Sequence, residues 1–178
     1  MSIANRKLTY ADYLGYPDDG NRHEIIDGDH YMNPAPSTDH QAVSRHIQFQ
    51  LYSQIELKEL GSVINAPVDV QLGESDIVQP DIVVVLKGNR IITPSKVKGA
   101  PDHVIEIISP STQSNDRGLK KSLFEKSGVK EYWIVDPFDH AVEQFVLSGE
   151  GYHLREHAEN CVPVSYLPDV AVDLTKVW

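Results

Sequence analysis

The stretch Asp102-His-Val-Ile-Glu-Ile-Ile-Ser-Pro-Ser-Thr112, with Asp116-Arg-Gly-Leu-Lys-Lys121 just behind it, decides how the rest of the chain is interpreted. Its apolar run is dense in β-branched residues, a composition typical of a strand buried on both faces. Glu106 interrupts this run. A carboxylate buried there is costly unless a cation or strong hydrogen-bond donors meet it. Glu106 is therefore either an acid paired with a nearby lysine or part of a functional site.

A second apolar run repeats the anomaly. Val78-Gln-Pro-Asp-Ile-Val-Val-Val-Leu86 contains a single acid, Asp81, directly after Pro80. Two buried strands that each carry one carboxylate can place those carboxylates side by side, and two such charges cannot both stay ionised without a counter-charge. A hard divalent cation such as Mg²⁺ resolves this conflict, because it prefers oxygen ligands and keeps several waters. The pattern predicts a metal site at Asp81 and Glu106.

Length and composition indicate one globular domain that spans residues 1–178. The 178-residue chain is 40% hydrophobic and 24% charged, which is ordinary for a soluble protein. Cys161 is the single cysteine, so an intrachain disulfide is excluded. The N-terminal residues lack the apolar segment of a signal peptide, and no apolar run approaches the roughly 18 residues that span a bilayer. We expect a cytoplasmic protein without a membrane segment.

The charge distribution is uneven. The chain has a net charge of -10, which argues against a protein coated in nucleic acid. Between positions 87 and 130, however, nine basic residues face four acids, so this segment carries +5 and the remainder carries -15. Such asymmetry indicates a local face for an anionic ligand, although a solvated helix and loop would show the same pattern.

The order of predicted elements indicates an α/β class, either α+β or mixed, with one central sheet. Apolar residues recur every four positions from Val43 to Ile55, which predicts a long amphipathic helix that Gly61 ends. The other predictions are a short helix from Thr9 to Leu14, a hairpin over 23–32 with its turn at Asp27-Gly28, a strand near 68–72, strands over 78–86 and 103–109, a basic helix that ends at Gly128, and strands over 131–136, 141–147 and 152–156.

Several ordered motifs together resemble a known family. The quoted segments are Glu24-Ile-Ile-Asp-Gly28, Pro34-Ala-Pro-Ser37 with His40, Val78–Val85, Gly99–Asp102, Glu106–Thr112, Asp116-Arg117 with Lys120, and Gly128-Val-Lys-Glu-Tyr-Trp-Ile-Val-Asp-Pro137. Across roughly residues 9 to 147, the chain resembles the Uma-type family of putative restriction endonucleases, within the PD-(D/E)XK phosphodiesterase superfamily. Pro-Asp alone is a weak signal, but the ordered set is strong.

This resemblance implies a restriction-endonuclease-like core, a central mixed β-sheet flanked by helices. It also implies that Asp81 and Glu106 bind Mg²⁺ or Mn²⁺ with help from the backbone carbonyl of Ile107. The metal would polarise the scissile phosphate of DNA and activate a water. Glu24 would lie at the edge of this site and hold a metal-bound water.

One position departs from the superfamily pattern. The lysine expected two residues after the acid is replaced by Ile108, and in this family the following helix supplies the charge, with Lys120 at the matching position. Lys121 points about 100° further round the helix, so both lysines cannot face the site. Lys120 shares a face with Phe124 and is the expected catalytic lysine, whose charge would stabilise the transition state.

Other chemistries find little support. The eight histidines form no HExxH pattern, there is no phosphate-binding glycine-rich loop, and Tyr132 and Trp133 belong to a buried strand. The sequence therefore predicts a Mg²⁺-dependent DNA endonuclease. The resemblance to restriction-type nucleases implies a homodimer, and symmetric cleavage of a duplex favours the same two-fold arrangement. Two alternatives stay open: a nucleic-acid-binding protein of this fold with weak or no catalysis, and an interaction domain in which Lys120 merely neutralises Asp81 and Glu106.

Overall fold

The computed structural model describes residues 6–158 and 160–178, which form two large sheets and a small one. The strands are β1 (Arg22–Ile26), β2 (Asp29–Asn33), β3 (Gly61–Asn65), β4 (Val70–Gly73), β5 (Asp76–Val78), β6 (Ile82–Leu86), β7 (Val97–Lys98), β8 (His103–Ile107), β9 (Glu131–Asp136), β10 (Ala141–Ser148), β11 (Gly151–Arg155), β12 (Cys161–Pro163) and β13 (Ala171–Asp173). The helices are α1 (Tyr10–Tyr13), α2 (Thr38–Leu51), α3 (Gln113–Asn115) and α4 (Lys121–Ser127). π-helical turns extend α2 over Tyr52–Glu56 and join α3 to α4 over Asp116–Lys120, and a 3₁₀ turn covers Leu174–Lys176.

The central sheet has six strands in the order β11-β10-β9-β8-β6-β3. β8 and β9 are parallel and the other neighbours are antiparallel, so the sheet is mixed. A second sheet has the order β2-β1-β5-β4-β7, and β12 pairs with β13 alone. Helices flank the central sheet, and the predicted mixed α/β class is confirmed. Within the described residues, every helix is too short or too polar to cross a bilayer.

Successive side chains of the central strands point to opposite faces, and each face has its own core. One core joins β6, β8 and β9 to α2 and to the C-terminal residues 162–177. The other joins the opposite face of the same strands to α4, β10 and parts of the second sheet. In β8, Ile105 and Ile107 belong to the first core, whereas Val104 belongs to the second. Glu106 lies between Ile105 and Ile107 and therefore faces α4 rather than α2.

The predicted strand over 78–86 is in fact two strands in two sheets. β5 belongs to the second sheet and β6 to the central sheet, and Gln79-Pro80-Asp81 is the crossing between them. Pro80 has no backbone N–H to donate to a ladder, which explains the interruption. Asp81 consequently lies at the end of a strand rather than within one, where its side chain is free to reach a neighbouring strand.

The long helix also ends differently from the prediction. Its helical turns stop at Glu56, and Glu59 rather than Gly61 adopts a left-handed conformation, with φ 56°. Gly61 instead begins β3, where it pairs with Leu86 of β6. A Cβ at Gly61 would lie 2.5 Å from the backbone oxygen of Val85, so the two strands approach too closely for any side chain.

The Gly61→Ala substitution is therefore expected to destabilise the protein by about 1–3 kcal/mol, since the clashing atom belongs to the backbone of a central strand. Gly88→Ala is the matched control, because a Cβ there meets no atom within 4 Å. Denaturant unfolding of both variants measures the difference. Equal stability of the two variants would contradict the close approach of β3 to β6.

Because His103 in β8 is buried, we expect the protein to lose stability as the pH falls. The ring is fully buried, neither nitrogen has a hydrogen-bond partner among the described residues, and burial lowers its pKa to about 4. An unfolded histidine titrates near 6.5, so between pH 6.5 and 4 the unfolded chain binds the extra proton and stability falls as the pH falls. The contribution lost is about 3 kcal/mol. Unfolding curves of His103→Leu and wild type should diverge below pH 6.5, with the variant relatively more stable; parallel curves would contradict this account.

Candidate active site

Asp81 is held by three donors that come from three different elements. Its Oδ1 accepts a hydrogen bond from Arg22 Nη1 of β1 at 2.8 Å. Its Oδ2 accepts from Ile107 N of β8 at 2.9 Å, and His40 Nε2 of α2 lies 3.0 Å from the same oxygen. Burial acts to raise the pKa of Asp81, but the contacts with His40 and Arg22 outweigh it and hold the pKa below its usual range. Asp81 is therefore an ionised carboxylate.

Glu106 is the second buried acid, only 4% exposed. Its Oε1 accepts a hydrogen bond from Lys120 Nζ at 2.8 Å. Burial raises the pKa of Glu106 well above its usual range; the charge of Lys120 opposes this shift, whereas the negative charges of Asp116 and Asp81 add to it. Burial therefore disfavours the ionised form of Glu106, and a further positive charge placed beside it would favour that form.

Lys120 contacts three buried acids, and we call these four residues the charged cluster. Its Nζ lies 2.8 Å from Glu106 Oε1, 3.0 Å from Glu24 Oε1 and 3.6 Å from Asp116 Oδ1. Burial acts to lower the pKa of Lys120, but these acids raise it well above its usual range, so the ammonium stays charged. The widened π-helical turn ends at Lys120, and such turns frequently occur at functional sites. Lys121 instead lies over the Phe145 ring, 4.0 Å from its centre.

Glu24 lies behind Lys120 rather than in the cavity. It is 1% exposed, and Oε1 accepts from Gln79 N at 2.7 Å as well as contacting Lys120. Oε2 accepts from Asn33 Nδ2 at 2.9 Å. Because both oxygens already have protein donors, the structure does not support the expectation that Glu24 lies at the edge of the site and holds a water. Its position suits it to orient Lys120.

Asp81, Glu106, Asp116 and Lys120 line one cavity of about 700 Å³, and Glu24 is not part of the lining. Among the described residues that line it, the charged ones are Arg22, Asp39, Asp81, Glu106, Asp116 and Lys120. Four carboxylates therefore face two permanent cations. The lining also includes the Pro34–Ser37 loop, Ser109–Thr112, and Val177 with Trp178.

The donor set fits a hard divalent cation in its chemistry. Mg²⁺ commonly binds through one or two carboxylates and keeps several waters, and both Asp81 and Glu106 line the same solvent-open cavity. In residues 6–158 and 160–178, no group of three or more His, Cys, Asp or Glu side chains is arranged to hold a metal ion. Two acids would therefore hold a cation, and the cation would have to compete with Arg22 and His40 for Asp81.

Three residues of the site were missed or not assigned a role from the sequence. Arg22 precedes Glu24 by two positions in β1, so the period of a strand puts both on one face. Asp116 precedes Lys120 by four positions, the spacing of a helical ion pair. His40 follows the helix cap Ser37, whose side chain accepts from His40 N, but the sequence offers no sign that its ring reaches Asp81.

The comparisons with known proteins agree with this fold. A structure described as a putative nuclease belonging to DUF820 from Anabaena variabilis ATCC 29413 has a TM-score of 0.79 and 20% identity, over 96% of this chain and 97% of that chain. This likeness shows a restriction-endonuclease-like fold. No curated protein is significantly similar to the chain. The family model described as Uma2, putative restriction endonuclease, matches residues 10–175. Because that match covers nearly the whole chain, the protein belongs to the Uma2 family of putative restriction endonucleases.

Proposed function

We propose that this protein is a phosphodiesterase of the PD-(D/E)XK type that hydrolyses DNA and depends on Mg²⁺ or Mn²⁺. The observation that carries the proposal is the meeting of Asp81, Glu106 and Lys120 in one cavity, although they come from a strand crossing, a strand and a helix. Membership of a family described as putative restriction endonucleases supports the same reaction.

The charge of the cavity supports a metal requirement. Four carboxyl groups share the cavity with only two permanent cations, so an anionic substrate is favoured there by an additional cation. Asp81 and Glu106, with the backbone carbonyl of Ile107, would hold that cation. When bound, such a metal polarises a phosphoryl oxygen and lowers the pKa of a coordinated water.

Lys120 has the position and charge to stabilise the phosphate in the transition state. Its ammonium contacts Glu106, Glu24 and Asp116, which together keep it protonated and hold it in place. A preorganised charge of this kind requires no rearrangement during the reaction. Glu24 is accordingly assigned to positioning Lys120.

Arg22 is proposed to bind the substrate phosphate once a metal occupies Asp81. A guanidinium matches two phosphate oxygens at once, and only Nη1 of Arg22 donates hydrogen bonds to the described residues. In Arg22→Gln, we expect KM for DNA to rise on the order of tenfold. The apparent affinity for Mg²⁺ should tighten, because a competitor for Asp81 is removed. Steady-state cleavage at varied DNA and Mg²⁺ concentrations measures both, with Arg45→Gln on the exposed face of α2 as control. A rise in KM together with weaker Mg²⁺ binding would contradict this role.

The proposal is tested by incubating the protein with supercoiled and linear DNA in Mg²⁺, Mn²⁺ or EDTA. Nicking that requires the metal and is lost in Glu106→Gln supports it. Asp18 is an exposed acid that does not line the cavity, so Asp18→Asn should cleave like wild type. A homodimer is also proposed, from the resemblance to restriction-type nucleases, and light scattering with and without DNA measures it.

One observation favours the second candidate, a nucleic-acid-binding protein with weak or no catalysis. Both oxygens of Asp81 are bonded by protein donors, so a metal must displace them before it binds. DNA binding without cleavage, at every salt and metal concentration tried, would favour this candidate over the nuclease.

A further inference from the structure

One wall of the cavity is aromatic. Phe138, in the turn between β9 and β10, is 69% exposed, although a ring of this size normally packs inside. Phe138, His140 and Trp178 all line the cavity that holds Asp81 and Glu106. We call these three side chains the aromatic wall. An apolar surface at the mouth of a polar site is typical of ligand pockets.

Hydrogen bonds fix the two segments that carry the aromatic wall. Asp136 Oδ1 accepts from Phe138 N at 3.0 Å and from Asp139 N at 3.1 Å, which fixes the turn. His46 of α2 fixes the C-terminal residues, since its Nδ1 lies 2.9 Å from Val177 O. Asp136 is the last residue of β9, so the turn that carries Phe138 is fixed to the central sheet.

His140 and Trp178 join these two anchored segments. Their rings stack at 4.9 Å with 5° between the planes. His140 has φ 49°, a left-handed conformation that is uncommon for a residue other than glycine, and such strain clusters at ligand sites. The two stacked rings therefore form one aromatic unit in the same cavity lining as Phe138.

The size of the cavity limits what can lie on that surface. About 700 Å³ falls in the range of sites for small ligands, roughly 300–1,000 Å³. Such a cavity accepts a single nucleotide with its adjoining phosphate, and stacked base pairs cannot enter it together. A base that enters this cavity together with its phosphate is therefore unpaired, and it needs a partner to replace the lost stacking.

We propose that Phe138, His140 and Trp178 form a stacking platform for one unpaired base, so that the enzyme acts on single-stranded or locally unpaired DNA. The proposal rests on the proposed phosphodiesterase function and adds its substrate class. Stacking on aromatic rings is tolerant of sequence, because every base has a π face, and it supplies binding where few basic side chains are available. It also fits an acidic protein, whose affinity for the backbone of a duplex is low.

The experiment compares binding of a thymidine oligonucleotide, the same strand in a full duplex, and the duplex with a central unpaired bulge, all in Mg²⁺ with Glu106→Gln to prevent cleavage. The protein has two tryptophans, and Trp133 is fully buried, so quenching of fluorescence on binding reports Trp178. We expect quenching and tighter binding with the single strand and the bulge. Phe138→Ala and Trp178→Ala should weaken that binding on the order of tenfold to a hundredfold, whereas Trp178→Phe should retain most of it.

Phe49→Ala is the matched control, since Phe49 is 66% exposed on α2 and does not line the cavity. Equal affinity for single strand and duplex without quenching would overturn the platform, as would unchanged binding in Phe138→Ala and Trp178→Ala. The two proposals fail separately. If Phe138→Ala and Trp178→Ala cleave DNA like wild type, the platform is overturned and the nuclease proposal stands. If binding depends on the platform but the wild type does not cleave, the platform stands and the nuclease proposal is overturned.

Discussion

Replacing Asp81 with asparagine is expected to abolish metal-dependent DNA cleavage while the protein stays folded. The change removes one negative oxygen and keeps the shape of the side chain. Loss of a ligand that contributes several kcal/mol to metal-assisted catalysis corresponds to a decrease of about 10³-fold or more. The rate of nicking of supercoiled DNA at saturating Mg²⁺ measures the effect.

The fold is expected to tolerate this substitution, because asparagine has the size of aspartate and can still accept part of its hydrogen bonds. The amide oxygen of asparagine can still accept from Ile107 N, the one buried partner that belongs to a central strand. Arg22 loses its counter-charge but is 19% exposed at its side chain and reaches water. Unfolding by denaturant should therefore change far less than activity. Cleavage at the wild-type rate would remove Asp81 from the reaction.

Replacing Lys120 with methionine is expected to destabilise the protein strongly. Glu106, Glu24 and Asp116 would be left buried around an uncharged side chain. Breaking a buried ion pair by removal of one partner costs about 3–5 kcal/mol, and here one cation serves three acids. Lys121→Met is the control, because Lys121 only covers the Phe145 ring and its loss costs about 1 kcal/mol at most.

The pH dependence of the stability of Lys120→Met distinguishes the loss of a charge from the loss of packing. Burial already raises the pKa values of Glu106 and Asp116 in the presence of Lys120. Without the lysine these pKa values rise further above those of the unfolded chain, so the folded variant binds more protons than the unfolded one and gains stability as the pH falls. The deficit of Lys120→Met relative to wild type should thus shrink from pH 8 toward pH 5. A constant deficit over this range would indicate lost packing instead.

A double variant refines the same prediction. Glu24→Gln keeps the size of the side chain and removes one of the three charges that Lys120 neutralises, so Lys120→Met and Glu24→Gln together should cost less than the sum of the single changes. Purely additive free energies of unfolding would show that Glu24 does not interact with Lys120 in solution.

Local patterns in the sequence determined most of the secondary structure. The Asp27-Gly28 hairpin formed as predicted because both residues adopt positive φ, 52° and 82°, as a two-residue turn requires. The strand that contains Tyr132 and Trp133 is buried throughout, as its unbroken apolar run indicated. The resemblance correctly predicted the family and the mixed α/β fold.

The errors arose where the environment of a residue is set by distant parts of the chain. Gly61 was interpreted as a helix terminator, but it is a glycine because β6 passes too close for a Cβ. Residues 78–86 were interpreted as one strand, since composition does not reveal that β5 and β6 pair in different sheets. Small strands such as β7, β12 and β13 carry almost no periodic signal.

The sequence alone determined which acids are anomalous: Asp81 and Glu106 stand out because a carboxylate in an apolar run demands a partner. Only the tertiary structure decided who those partners are. Arg22 and His40 meet Asp81, Lys120 meets Glu106 and Glu24, and the turn after β9 meets the end of the chain. The physical reason is that side-chain periodicity is local, whereas the pairing of charges and the walls of a cavity depend on how strands and helices from the whole chain pack together.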